Sequence, residues 1–193
     1  VTSGCADESP VAAGVVTARE MAQAAAKATG CAPDHVLVAS TGVIGVSRDI
    51  AKVRAGVTAA AATLDVAGSA RATRAIMTTD PFPKGKSVEV TDERGTFRIG
   101  GIAKGSGMIE PKMATMLGFL TTDAKVSPAV LQRALRRVSD ETFNAITVDG
   151  ECSTNDCVML LASGASGVEI TQDDDPAFLD GLRAVAGHLA REI

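Results

Sequence analysis

Apolar positions along this chain alternate between helical and strand-like spacing, and capping residues mark the changes. Thr17-Ala18-Arg19-Glu20 has the spacing of a capping box and leads into an Ala-rich run that stops at Gly30. Ser47 opens a second Ala-rich run, Arg48 to Leu64. Ser127-Pro128 predicts an N-cap with proline at the first helical position, and the helix runs through Val138. Asp175-Pro176 repeats that signal for a last helix, Pro176 to Ile193, with Asp173-Asp174-Asp175 placed at its positive end. Between these lie short β-type runs: Val36 to Ala39, Ser87 to Thr91, Thr96 to Ile102, Thr142 to Val148 and Val158 to Ala162. The second and third read as a hairpin across Asp92-Glu93-Arg94-Gly95. The fold class expected is therefore α/β, a layered mixed helix–sheet architecture, in one domain over 1–193.

Composition narrows the function. Of 193 residues, 46% are hydrophobic and 22% charged, which is ordinary globular usage and excludes wholesale disorder. Nineteen basic against 23 acidic residues leave a net charge of −4, without the basic footprint of a nucleic-acid binder. With five Phe and no Tyr or Trp, stacking platforms for single strands lack their material. The longest uncharged stretch is 13 residues, His35 to Ser47, too short and too polar for a membrane span. No secretory leader is read at Val1, and the four cysteines form no C-x-x-C pair. Reduced thiols, a cytoplasmic location, no metal site and no cofactor are the expectations.

The familiar catalytic arrangements fail on this sequence. His35 and His188 are the only imidazoles, and neither lies in a G-x-S-x-G or Cys-His context, so a Ser-His-Asp triad lacks its base. Gly100-Gly101-Ile102-Ala103-Lys104-Gly105-Ser106-Gly107 misses the P-loop order, and Glu110 occupies the third glycine position of a dinucleotide fingerprint. What remains is close backbone approach at glycine, with Lys104 at a strand end as a point charge for a carboxylate. Read from chemistry alone, Thr115 in Met113-Ala114-Thr115-Met116-Leu117 is an ordinary residue on the way from a loop into a buried strand.

Those same residues carry a family resemblance. Lys104-Gly105-Ser106-Gly107-Met108-Ile109 followed by Met113-Ala114-Thr115-Met116-Leu117 resembles the signature of the ornithine acetyltransferases, the glutamate N-acetyltransferases of arginine biosynthesis. Three further segments agree in the same order: Ala39-Ser40-Thr41-Gly42-Val43-Ile44-Gly45, Ile76-Met77-Thr78-Thr79-Asp80, and Thr147-Val148-Asp149-Gly150 through Ser153-Thr154-Asn155-Asp156. Family members are longer at both ends, so the chain resembles the central portion of such a protein. Lys112 departs from the Asn or Asp more usual before Met-Ala-Thr, and the opening Thr2-Ser3-Gly4-Cys5-Ala6-Asp7 is poorer in Asn.

The resemblance implies a precursor that cuts itself between Ala114 and Thr115, giving an α chain over residues 1–114 and a β chain over residues 115–193. The freed Thr115 amine, with a reference pKa of about 7.7–8.0, then serves as base for its own hydroxyl. Thr115 is the implied nucleophile, taking acetyl from N2-acetylornithine and passing it to glutamate through an acetyl-threonine. Thr41 and Gly42 are the implied oxyanion hole; Thr78, Lys104 and Thr115 the implied substrate contacts. Some members also accept acetyl-CoA, and members pair their two-chain units into heterotetramers. Rival expectations are an N-terminal-threonine acyltransferase of a secondary pathway, a hydrolase of similar fold, and a non-catalytic amino-acid-binding homologue.

Overall fold

The structure, a computed structural model, describes residues 11–41, 49–107, 109, 116–151, 153 and 155–193. The chain divides into two compact units, Val1–Ala72 and Thr73–Ile193.

The first unit is helical. Helix α1 (Val11–Thr29) and helix α2 (Ile50–Ala61) pack through Met21, Val53 and Val57, with Ala24, Ala25, Val38 and Ile50 around them. The α1 start differs from the sequence expectation, since Thr17 to Glu20 lies inside the helix. An Ala-rich run propagates helix readily, so a box-like string within it caps nothing. The stop at Gly30 is as expected. Gly30 sits at φ 76°, and the N–H groups of Gly30 and Cys31 both return to the Ala26 carbonyl. Helix α2 begins at Ile50 rather than Arg48, because the Asp49 carboxylate accepts the Ala51 and Lys52 N–H groups. Ser47 lies outside the described residues. The strand expected at Val36 to Ala39 is not formed: after a 3₁₀ turn (Pro33–His35) these residues run unpaired within the described chain. An apolar run becomes a strand only where a neighbour offers a ladder.

A short helix α3 (Ser69–Ala75), not foreseen from the sequence, precedes the sheet of the second unit. Strands β1 (Lys84–Asp92), β2 (Gly95–Lys104), β3 (Leu117–Thr122) and β5 (Cys157–Ala162) lie in the order β1-β2-β3-β5. The β1/β2 hairpin stands where it was expected and extends further at both ends. β2 and β3 are antiparallel, while β3 and β5 are parallel. Parallel neighbours need a crossover, which helix α4 (Pro128–Glu141) supplies. A minor ribbon pairs β4 (Lys125–Val126) with β6 (Glu169–Ile170).

Helix α5 (Pro176–Glu192) and α4 cover one face of this sheet. Both open as the sequence predicts: Ser127 accepts the Val130 N–H, and Asp175 accepts the Phe178 N–H. The core joins Phe97, Ile99, Leu120 and Leu160 from the strands to Val138, Phe178, Leu182, Val185 and Leu189 from the helices. Close approach explains two glycines here. A Cβ on Gly101 would stand 2.5 Å from Leu120 Cδ2, and one on Gly181 would stand 2.9 Å from Val90 Cγ2. Thr142 to Val148, expected as a strand, instead holds a 3₁₀ turn (Phe143–Ala145). Thr142 Oγ1 donates to the Val138 carbonyl at the end of α4, and that local bond turns the chain before a ladder can start.

Candidate functional site

The sheet register gathers one set of strand ends. Lys84 at the start of β1 pairs with Ala103, Lys104 at the end of β2 pairs with Leu117, and Leu117 pairs with Cys157 at the start of β5. The residues just outside those ends therefore meet at one end of the sheet. They are the 78–80 turn before β1, Gly105 after β2, Met116 before β3 and Asp156 before β5.

Asp80 is the hub of this end. Its Oδ1 accepts the Lys84 ammonium at 2.7 Å and the Gly105 N–H at 2.7 Å, and its Oδ2 accepts the Thr78 N–H at 3.1 Å. The Asp80 and Lys84 side chains are 0% and 1% exposed, so this pair is screened by protein rather than by water. Burial pushes the Asp80 carboxyl up, but the Gly105 N–H, the Lys84 ammonium and the Thr78 N–H together hold it below the ordinary carboxylate value. Lys84 also lies 4.9 Å above the Phe82 ring. Gly105 suits its place: at φ 150° a side chain would be strained, and a Cβ would press on Ile109 Cδ1 at 3.2 Å.

Lys104 stands at the end of β2 as the sequence suggested, and it is buried, at 3%. Burial pushes its ammonium down; Asp80 and Asp156 pull it back up, and the Lys84 charge opposes them. Asp156 lies on the other side of this charge group. Its Oδ1 accepts the Met116 N–H at 2.7 Å, while the Cys157 N–H donates to the Met116 carbonyl. Burial raises the Asp156 pKa to about 6, against the lowering effects of the Met116 N–H and Lys104. Burial and the neighbouring Asp156 charge push the Cys157 thiol up as well.

The fold thus brings the Thr78 turn and Lys104 together through Asp80, and Thr79 Oγ1 bonds Ser106 Oγ at 2.8 Å across the same gap. Thr78 itself is exposed. Thr41 is buried, at 1%, in the first unit. Gly42, Ala114 and Thr115 lie outside the described residues. Among those described, Cys31 and Cys157 are free thiols, no group of His, Cys, Asp and Glu side chains is arranged to hold a metal ion, and no helix is long and apolar enough to cross a membrane. Sequence reasoning does not single out Asp80, Lys84 and Asp156 as members of this group. The available signal is an aspartate closing each of two matched segments, Ile76 to Asp80 and Ser153 to Asp156.

Comparison with known proteins gives a consistent neighbourhood. The model of the ArgJ family matches residues 1–193. The arginine biosynthesis bifunctional protein ArgJ of Symbiobacterium thermophilum is 52% identical over 183 residues, covering 93% of this chain and 46% of its own length. The protein of that name from Chlorobium chlorochromatii is 48% identical over 193 residues, covering 99% of this chain and 45% of its own length. The crystal structure of the arginine biosynthesis bifunctional protein argJ from Bacillus halodurans superimposes with a TM-score of 0.52 at 31% identity, over 58% of this chain and 59% of that one. The chain spans about half the length of the curated relatives it matches.

Proposed function

The chain belongs to the ArgJ family and has the mixed α/β fold of that family, and on this premise we propose that it carries the nucleophile and a share of the acyl-transfer site of a self-cleaving glutamate N-acetyltransferase of arginine biosynthesis. In this reading the Thr115 hydroxyl attacks the Ala114 carbonyl, and the C–N bond breaks so that the acyl group moves to oxygen and the Thr115 amine is freed. Water then hydrolyses the ester to leave the Ala114 carboxylate and the Thr115 hydroxyl. That amine then takes the hydroxyl proton as Thr115 attacks the acetyl carbonyl of N2-acetylornithine, and ornithine leaves as its amine. The α-amine of glutamate takes the acetyl from the threonine ester. The family resemblance assigns Thr41 and Gly42 to the oxyanion and Thr78 with Lys104 to the substrate. Acetyl-CoA is a second donor, the working unit is a pair of cleaved two-chain units, and the location is cytoplasmic.

One observation carries the reading. Lys104 is buried at the end of β2 opposite Leu117, two residues after Thr115 in sequence, and both substrates bring an α-carboxylate for it to pair with. Intact-mass analysis with N-terminal sequencing of the full-length protein tests it. Two chains are expected, the second beginning at Thr115, together with N-acetylglutamate formed from N2-acetylornithine and glutamate. A natively folded chain that stays whole and exchanges no acetyl overturns the proposal.

The pH dependence separates the two stages. The acyl shift that opens self-cleavage precedes the free amine, so its profile reports Asp156, which faces Lys104 and Cys157. Above about pH 6 the ionised carboxylate is the stronger acceptor for the Met116 N–H, and cleavage is expected to rise through that value and level off. Acetyl exchange, which needs the neutral amine, gains a further rise near pH ~8. Stability follows the opposite course for this group. Its folded pKa lies above the ordinary 3.8, so its ionisation costs stability as pH rises between 3.8 and about 6. Cleavage timed from pH 5 to 9 checks the split, and a flat profile across pH 6 refutes the role of Asp156 charge.

A further inference from the structure

Two matched segments on either side of residues 105–116 in sequence, Ile76 to Asp80 and Thr147 through Asp156, contribute three aspartates, and each aspartate does the same thing. Asp80 Oδ1 accepts the Gly105 N–H, Asp149 Oδ1 the Ile109 N–H and Asp156 Oδ1 the Met116 N–H, all at 2.7 Å. Most other carboxylates that accept backbone N–H groups do so locally, as Asp49 and Asp175 do at helix starts. These three reach across 25, 40 and 40 positions of sequence. Asp123 has a comparable reach, but it holds Arg98, a residue already in β2. Gly105, Ile109 and Met116 all lie outside the strands, so no ladder fixes them. Ile109 is held on its acceptor side too: its carbonyl accepts the Val148 N–H at 2.7 Å and the Thr147 hydroxyl at 3.1 Å.

We infer that Asp80, Asp149 and Asp156 are positioning residues, a three-point carboxylate clamp that holds the N–H groups of Gly105, Ile109 and Met116, on both sides of the Ala114–Thr115 bond in sequence, and thereby sets the approach of the Thr115 hydroxyl to that peptide. This deepens the self-cleavage reading and rests on it. A hydroxyl attacking its own preceding carbonyl needs a backbone held near the attack geometry. Charge-assisted bonds from carboxylates to N–H groups are short and roughly twice as strong as neutral ones, and they grip the backbone without occupying the side-chain space of the reacting residue. The clamp acts on rate through position.

The test uses Asp149→Ala, Asp156→Ala and the two Asn variants in the full-length protein, with cleavage followed by intact mass against time. Asn keeps an oxygen for the N–H, whereas Ala removes it. Each Ala variant is expected to cut about 100-fold more slowly, the scale of an ångström-sized misplacement, and each Asn variant to stay within roughly fivefold of wild type. A merely structural role moves the thermal midpoint without separating Asn from Ala in cleavage rate. Wild type that cuts, with folded Ala variants cutting at the same rate, overturns the clamp and leaves the enzyme reading standing. Wild type that stays whole overturns both. Should the Ala variants not fold, amide hydrogen exchange in the uncut Thr115→Ala protein decides. Protection at Ile109 and Met116 supports the clamp, and exchange as fast as an open loop overturns it.

Discussion

Replacing Asp80 by alanine is expected to lower stability by about 3–5 kcal/mol, the cost of removing one partner from a buried ion pair. The side chains of Asp80 and Lys84 are almost wholly buried, so nothing but protein answers the charge left on Lys84. Two backbone donors lose their acceptor in the same step, the Gly105 N–H and the Thr78 N–H. The reverse change, Lys84→Met, is milder, because Asp80 keeps those two N–H groups and the methionine chain still covers the Phe82 ring. Asp80→Asn falls between, retaining oxygen but facing the ammonium with a neutral amide. The double variant Asp80→Ala/Lys84→Met is expected to be more stable than Asp80→Ala alone, since it leaves no buried charge uncompensated. Urea denaturation of the full-length protein at pH 7 measures all four. Because the folded Asp80 carboxyl titrates below its ordinary value, the wild-type advantage is present at neutral pH and is lost as pH falls through the acid range. A loss below about 1 kcal/mol for Asp80→Ala refutes its standing as the hub of this end.

Much of the fold is legible in the sequence because its signals are local. Ser127-Pro128 and Asp175-Pro176 announce their helices by chemistry within one turn, and both helices start there. The hairpin of β1 and β2 is equally plain from two β-type runs around a four-residue polar break. The errors fall where the deciding partner is distant. Val36 to Ala39 has the composition of a strand but no ladder among the described residues, and Thr142 to Val148 is turned by a bond to the preceding helix. Lys104 shows the same division at the site. Its place at a strand end can be read from Gly105 following it, whereas its burial depends on β3, β5 and the residues between them. The aspartates are harder still. The sequence shows Asp80 only as the close of a matched segment, and the register of β1 on β2 brings it to Gly105 across 25 positions.

Thr115→Ala is expected to leave the chain whole and to reduce acetyl exchange by about four orders of magnitude or more, as loss of a covalent nucleophile does elsewhere. Both effects have one cause, which makes them separable from a folding defect. The hydroxyl is needed once to cut the chain and again in every turnover, whereas the bonds of Asp80 to the Gly105 N–H and of Asp156 to the Met116 N–H are made to backbone groups of other residues. Uncut Thr115→Ala protein should therefore keep the wild-type precursor's thermal midpoint while giving no exchange. Thr115→Ser sharpens the point. Serine restores a hydroxyl but loses the β-branch that restricts χ1, so the attacking oxygen spends more time in unproductive rotamers. Cleavage should return at a rate reduced by roughly two- to threefold, the statistical cost of one productive well among three. Exchange should recover with it, in proportion to the fraction cut, because the hydroxyl stays esterified until the chain is cut. If Thr115→Ala exchanges acetyl at close to the wild-type rate, the nucleophile is another residue. If neither protein exchanges but both bind acetylornithine, the chain belongs to an amino-acid-binding member of its family.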